Sequence, residues 1–214
     1  MTLTLYAHPL SSYCWKVLIA LYENGAPFDY RQLGEAEADA EMARLWPIGK
    51  MPVLVDDGRP IVESSIIIEH LDVHHPGPAP LIPADSEDAL EVRLLDRVFD
   101  NYVMTPMSQI VFNRFCPVEA RNAFSVEQAR ALLGKAYAWL EDRLAGRTWA
   151  AGNAFSLADC AAGPSLHYAD KVHAFRADFP HLAAYLARLE ARPSFARAIE
   201  EAKPYSHMFP QEPS

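Results

Sequence analysis

A proline-rich stretch divides this chain into two parts with different sequence patterns. Residues 74–85 read HHPGPAPLIPAD, and five of the eight residues 76–83 are proline or glycine. Such a segment cannot sustain a helix, and its composition is typical of a semi-extended linker. We therefore predict two domains, at residues 1–76 and 85–214, joined by a proline-rich linker at 77–84.

The part before the linker mixes strand and helix patterns. Residues 3–7, LTLYA, alternate as a strand does, and helical spacing of apolar residues begins near Ser12. Further on, Asp57-Gly58 separates two short apolar runs, which is a strong hairpin signal, and Ser64 or Ser65 is expected to cap the helix that follows. The predicted order β-α-β-α-β-β-α is that of a thioredoxin-like α/β domain.

The part after the linker has helical periodicity throughout. A kink is expected at Pro106, and one helix is predicted to begin with a capping box at Ser125–Gln128. A second capping box is predicted at Ser156–Asp159, as a folding element without a catalytic role. We therefore predict an all-α domain over residues 85–214.

Composition and charge exclude several classes of function. The 214 residues carry a formal net charge of −9, which argues against a nucleic-acid binder and a polybasic membrane anchor. The apolar runs are too short to span a bilayer, and no secretory signal is visible, so we expect a cytoplasmic protein. Three scattered cysteines indicate neither a disulfide framework nor a zinc site. The histidines show no complete metal-ligand set, so no metal is predicted.

Four segments in a fixed order carry a family resemblance. They are SSYCWKVLIAL (11–21), WPIGKMPVL (46–54), ES (63–64) and FSLADC (155–160). With these segments the chain resembles the cytosolic glutathione S-transferase superfamily over nearly its whole length. The serine pair is similar to that of bacterial serine-type members, with features of the zeta, delta and theta classes. The resemblance implies a homodimer that takes glutathione as co-substrate.

The resemblance places catalysis at the start of the first helix. Glutathione must react as a thiolate, which a helix N-terminus and a hydroxyl donor both stabilise. Ser11 matches the position of the catalytic serine, and Ser12 is its nearest competitor. Either serine can instead be a plain helix cap. Cys14 falls on the apolar face of the predicted helix, which favours a buried structural thiol. The alternative is a reactive thiol, because a position in the first turn of a helix can lower the pKa of a cysteine.

The other segments resemble the glutathione-binding residues of the superfamily. Met51-Pro52 resembles its cis-proline motif, which presents the backbone of residue 51 to the cysteinyl part of glutathione, and Lys50 can meet the glycyl carboxylate. Glu63 and Ser64 resemble the pair that holds the γ-glutamyl end. Without the resemblance, Pro52 is an ordinary strand-initiating proline and Ser64 an ordinary helix cap.

Apolar residues on the first long helix of the second domain are candidates for binding the second substrate. The helical spacing does not separate residues that face a substrate from residues that face the core. The candidates are Tyr102, Met104, Met107, Phe112 and Phe115.

The function that the resemblance implies is addition of glutathione thiolate to an electrophilic apolar compound, as in detoxification. One alternative is a glutathione-dependent thiol-disulfide oxidoreductase acting through Cys14. A second is an isomerase like the zeta-type relatives that act on maleylacetoacetate, although Tyr13 stands here in place of their cysteine and Glu63 in place of their glutamine. A third is a non-catalytic binding or regulatory protein with the same fold.

Overall fold

A four-stranded mixed sheet with helices forms the first part of the chain. The computed structural model describes residues 2–210. The elements of the first part are β1 (Leu3–Ala7), α1 (Ser12–Asn24), β2 (Phe28–Gln32), α2 (Ala36–Leu45), β3 (Val53–Asp56), β4 (Arg59–Val62) and α3 (Ser64–His74). The predicted thioredoxin-like order is confirmed.

The sheet has the strand order β2-β1-β3-β4. Strands β1 and β2 are parallel, while β3 runs antiparallel to both β1 and β4. The predicted hairpin between β3 and β4 is present, and both Asp57 (φ 45°) and Gly58 (φ 85°) have the positive φ that a tight two-residue hairpin turn requires.

Helices make up the second part of the chain. They are α4 (Ser86–Val98), a π-helical segment (Phe99–Met104), α5 (Thr105–Phe115), a short 3-10 segment (Val118–Ala120), α6 (Ala123–Leu144), α7 (Leu157–Val172), α8 (Pro180–Glu190), α9 (Pro193–Ala202) and a 3-10 segment (Lys203–Met208). In the described part of the chain, no helix is long and apolar enough to cross a membrane.

Two local expectations for this part are wrong and one is confirmed. The distortion near Pro106 is a π-helical segment that ends before it, and the proline itself lies at the start of α5, where a missing N–H costs little. Helix α6 begins at Ala123 because the side chain of Asn122 caps it, ahead of the predicted box at Ser125. The capping box of Ser156 and Asp159 at the start of α7 is present.

Helix α1 is enclosed by both parts of the chain. It contacts α3 on one side and α7 and α9 on the other. Every residue from Cys14 to Leu21 is buried, including Lys16, whose side chain is 0% exposed. The N-terminal end of α1, where the predicted catalytic residues lie, is therefore held in place by a helix whose following residues are packed in the core.

Candidate active site

A cleft of about 280 Å³ lies beside the first turn of α1. Five residues predicted from two separate segments meet in it, and they are Lys50, Met51, Pro52, Glu63 and Ser64. Tyr13 and Trp46 complete the lining. The cleft thus joins the loop before β3, the start of α3 and the start of α1.

The Met51–Pro52 peptide bond is cis, as the motif predicts. Pro52 is buried directly before β3, whose first residue, Val53, pairs with β1 and with β4. The backbone of Met51 therefore lies at the end of an ordered strand, next to the cleft. An extended peptide can pair with backbone groups in such a position.

Glu63 and Ser64 form the entry to α3. Glu63 occupies the N-cap position with φ 69° and makes no side-chain cap, so the expectation that Ser64 or Ser65 caps this helix is wrong. Ser64 is the first helical residue, is 7% exposed and lines the cleft. The first N–H groups of a helix have no partner within it, so the start of α3 is a suitable place for a carboxylate.

Ser11 is the N-cap of α1. Its Oγ accepts a hydrogen bond from the Cys14 backbone N–H at 3.3 Å, and its own N–H donates to the His8 carbonyl at 3.0 Å. Because Oγ accepts in this cap, the hydroxyl hydrogen can still be donated to a ligand. Ser11 is half-buried and Ser12 buried, and neither serine is among the residues that line the cleft.

Tyr13 also lines the cleft, although its sequence context predicts no role for it. Burial raises the pKa of Tyr13, the nearby Asp100 carboxylate raises it further, and a hydrogen bond with Thr105 lowers it. The phenol is therefore protonated at neutral pH and can donate a hydrogen bond. The sequence feature that could have identified Tyr13 is its position in the first turn of α1, directly after Ser11 and Ser12.

Cys14 lies in the core, behind the serines. The sulfur accepts a weak hydrogen bond from the His8 N–H at 3.4 Å, but burial dominates and raises the pKa of the Cys14 thiol to about 11. The first-turn position does not lower this pKa, and the geometry does not support thiol exchange through Cys14. Cys160 is buried, whereas Cys116 is only half-buried.

The five apolar candidates of the helical part fall into two groups. Met104 (0% exposed) and Met107 (4%) belong to the core, so the prediction that they offer surface to a substrate is wrong. The other three, Tyr102, Phe112 and Phe115, are exposed. Both α5 and the π-helical segment pack against α6 and against α7. Because more than one side of these helices is therefore apolar, the helical spacing could not separate core residues from exposed ones.

A second cleft, of about 750 Å³, is bounded by the turn before α1, the end of α5, α7 and the C-terminal segment. Leu10, the neighbour of Ser11, lies on its rim, and Arg114 and Lys171 line it. Lys171 Nζ lies 5.3 Å from the ring centre of Tyr168, which stacks on Phe209. This cleft offers aromatic surface together with positive charge.

Two family models match the chain. Residues 5–79 match the model for "Glutathione S-transferase, N-terminal domain". Residues 123–188 match the model for "Glutathione S-transferase, C-terminal domain". The two matches together cover more than half of the chain.

Individual relatives match nearly end to end. A "Probable maleylacetoacetate isomerase" of Vibrio cholerae serotype O1 is 31% identical, over 95% of this chain and 98% of its own. "FtsZ-localized protein A" of Caulobacter vibrioides is 30% identical, over 94% and 92%. The crystal structure of a glutathione S-transferase from Methylobacillus flagellatus with GSH bound superposes with a TM-score of 0.83 at 28% identity, covering 92% of this chain and 98% of that one.

The burial of Cys14 leads to a prediction about thiol reactivity. At pH 8, a thiol with a pKa of about 11 is ionised in roughly one molecule in a thousand, and alkylation requires the thiolate. Iodoacetamide should therefore modify Cys116 first, and modify Cys14 and Cys160 only after unfolding in urea. Peptide mass spectrometry after timed labelling measures the order. Modification of Cys14 as fast as that of Cys116 in the native protein would contradict this placement.

Proposed function

The chain belongs to the glutathione S-transferase superfamily, and on this premise we propose that it activates glutathione for attack on an electrophilic substrate. One observation carries the proposal. Residues from the cis-proline loop and from the start of α3 meet in a single cleft beside the first turn of α1. An anionic peptide with one ammonium group fits this combination of donors and acceptors.

The binding of glutathione follows from the chemistry of the cleft. The γ-glutamyl carboxylate meets Ser64 and the N–H groups at the start of α3, and its ammonium group meets Glu63. The cysteinyl part pairs with the backbone of Met51, and Lys50 meets the glycyl carboxylate. These assignments explain how a protein with a net charge of −9 binds an anion, since local donors decide the affinity.

The reaction begins with loss of the thiol proton to solvent. The Ser11 hydroxyl donates a hydrogen bond to the resulting sulfur anion, which lies close to the positive end of α1. The protonated Tyr13 phenol forms the adjacent wall as a second neutral donor. The sulfur then forms a bond to an electrophilic carbon. In a substitution, the electron pair of the broken bond departs with the leaving group; in an addition, the π electron pair of the double bond moves to the neighbouring activated carbon, which takes up a proton from solvent.

The second substrate belongs in the larger cleft beside Leu10. Its aromatic surface fits the apolar substrate expected from the sequence, although none of the five residues predicted for that role lines it, and Lys171 adds a preference for an anionic group. The larger cleft therefore favours an electrophile that combines an apolar body with a carboxylate.

This charge preference supports a second candidate reaction. A thiolate that adds to an unsaturated carboxylate and is then expelled after bond rotation isomerises the double bond and regenerates glutathione. The Vibrio cholerae relative carries the name of such an isomerase. Consumption of glutathione distinguishes the two reactions, because conjugation uses one glutathione per product and isomerisation uses none.

A homodimer is part of the proposal. Helix α4 exposes Leu90 and Leu94 one turn apart, and α3 exposes Ile66 and Val73. The Arg93–Glu69 salt bridge (2.9 Å) joins the outer faces of the two helices. We propose that Ile66, Val73, Leu90 and Leu94 make up one apolar surface patch, here named the α3–α4 patch, which a second copy of the chain would cover.

Ser11→Ala tests the activation of the thiol. Removing one charge-assisted hydrogen bond, worth about 1.5–3 kcal/mol, should lower the turnover at pH 7 roughly 10- to 100-fold and raise the pKa of the bound glutathione thiol. Ultraviolet difference absorbance from pH 6 to 9 reports the thiolate, and calorimetry should show little change in glutathione affinity. Ser12→Ala is the matched control. An unchanged thiol pKa in Ser11→Ala with a raised one in Ser12→Ala would reverse the assignment.

Glu63→Gln tests the ammonium contact. The substitution keeps the shape of the side chain and removes its charge, so glutathione should bind about tenfold or more weakly, as expected for a hydrogen bond between charged groups. Calorimetry measures the loss, and γ-deamino glutathione, which lacks the ammonium group, should bind wild type and variant equally. If wild type binds no glutathione at all, the transferase proposal fails and the non-catalytic alternative takes its place.

Leu94→Glu tests the α3–α4 patch. A charge at the centre of an apolar interface should convert the dimer to a monomer in sedimentation velocity. Leu132→Glu, at an exposed position of α6, is the matched control and should remain a dimer. A wild-type monomer, or equal dissociation of both variants, would contradict this interface.

A further inference from the structure

Asp56, His70 and His75 meet at the edge of the sheet that lies away from the glutathione cleft. His70 Nε2 lies 2.8 Å from Asp56 Oδ2, and His75 Nε2 lies 2.7 Å from the same oxygen. The three ligand atoms all lie within 4.8 Å of one another. The sequence around the histidines predicts no third ligand, because Asp56 comes from a different element.

Rigid elements hold each of the three side chains. Asp56 ends β3 and pairs with Arg59 across the hairpin. His70 lies within α3, while His75 follows its last turn and donates its N–H to the Leu71 carbonyl at 2.8 Å. The side chains are only 10% to 14% exposed, so both imidazoles face the carboxylate with limited access to water.

Two imidazole nitrogens and one carboxylate oxygen are a common ligand set for a divalent transition metal. We propose that Asp56, His70 and His75 bind a divalent transition-metal ion, with Zn²⁺ the best fit and water as the fourth ligand. Ligand atoms around tetrahedral zinc lie about 3.3 Å apart, given metal–ligand bonds of about 2.0–2.1 Å. The two His–Asp contacts therefore lengthen by about half an ångström when the ion enters.

The three residues lie apart from the glutathione cleft. Asp56 is four residues along β3 from Pro52, which places it about 13 Å from the glutathione cleft at 3.3 Å per residue. A bound ion would fasten the β3–β4 hairpin to the C-terminal end of α3, directly before the proline-rich stretch. This inference does not rest on the proposed function.

The experiment uses the full chain without an affinity tag, after treatment with a chelator. Zn²⁺ is titrated by calorimetry, and Co²⁺ is used as a spectroscopic probe because its visible absorption reports tetrahedral nitrogen and oxygen ligation. Wild type should bind one equivalent. Asp56→Asn and His75→Asn should bind at least tenfold more weakly. His74→Asn should bind as wild type does, because His74 is exposed and its ring contacts that of His70 at a tilt of 40°, with ring centres 4.4 Å apart, outside the group of three ligand atoms.

Two outcomes would overturn the proposal. One is the absence of Zn²⁺ and Co²⁺ binding in wild type, which would leave the three residues as a hydrogen-bonded cluster. The other is equal binding by wild type and by the Asp56 and His75 variants. Circular dichroism without metal shows whether each variant is folded, and His70→Asn replaces any variant that is not. Zn²⁺ should also raise the Tm of wild type and His74→Asn while leaving the other variants unchanged.

Discussion

The buried ammonium group of Lys16 joins the two parts of the molecule, because its partners lie in both. Its Nζ lies 2.5 Å from Asp96 of α4, 2.7 Å from Asp100 of the π-helical segment and 2.8 Å from Ser65 of α3. A buried charge needs such partners, and removing one partner from a buried pair typically costs about 3–5 kcal/mol. Helices α1 and α3, which carry Tyr13 and Ser64 into the cleft, are thereby fixed relative to α4.

The fold alone is compatible with several reactions, and the residues of the cleft reduce the number of candidate reactions. Proteins similar to this chain include a named isomerase and a named FtsZ-localized protein, so membership of the superfamily is compatible with several roles. The convergence of Met51, Glu63 and Ser64 beside Tyr13 is what a glutathione-dependent reaction needs. Lys171 lines the larger cleft, and the proposed preference for an anionic electrophile rests on its charge.

Features that depend on neighbouring residues could be predicted from the sequence, whereas features that depend on contacts between distant segments could not. Asp57-Gly58 and the Ser156–Asp159 box each specify a turn or a cap within four residues, and both are present. By contrast, the burial of Met104 depends on helices far away in the chain. The meeting of Asp56 with His75 likewise depends on how α3 packs against the end of β3. The role of Ser11 stays a prediction, because it concerns a ligand rather than the fold.

The enclosure of α1 has a consequence for how this protein can be divided or recombined. The proline-rich stretch separates two recognisable parts of the sequence, but the two parts share a buried contact surface on α1. Cutting there would expose the side of α1 that packs on α7 and α9, including Trp15, and would leave Lys16 without its two carboxylates. A chimera that joins the first part of this chain to the helical part of a relative must therefore preserve the surface on which α1 packs. Its sequence is constrained by the other half of the molecule as much as by its own.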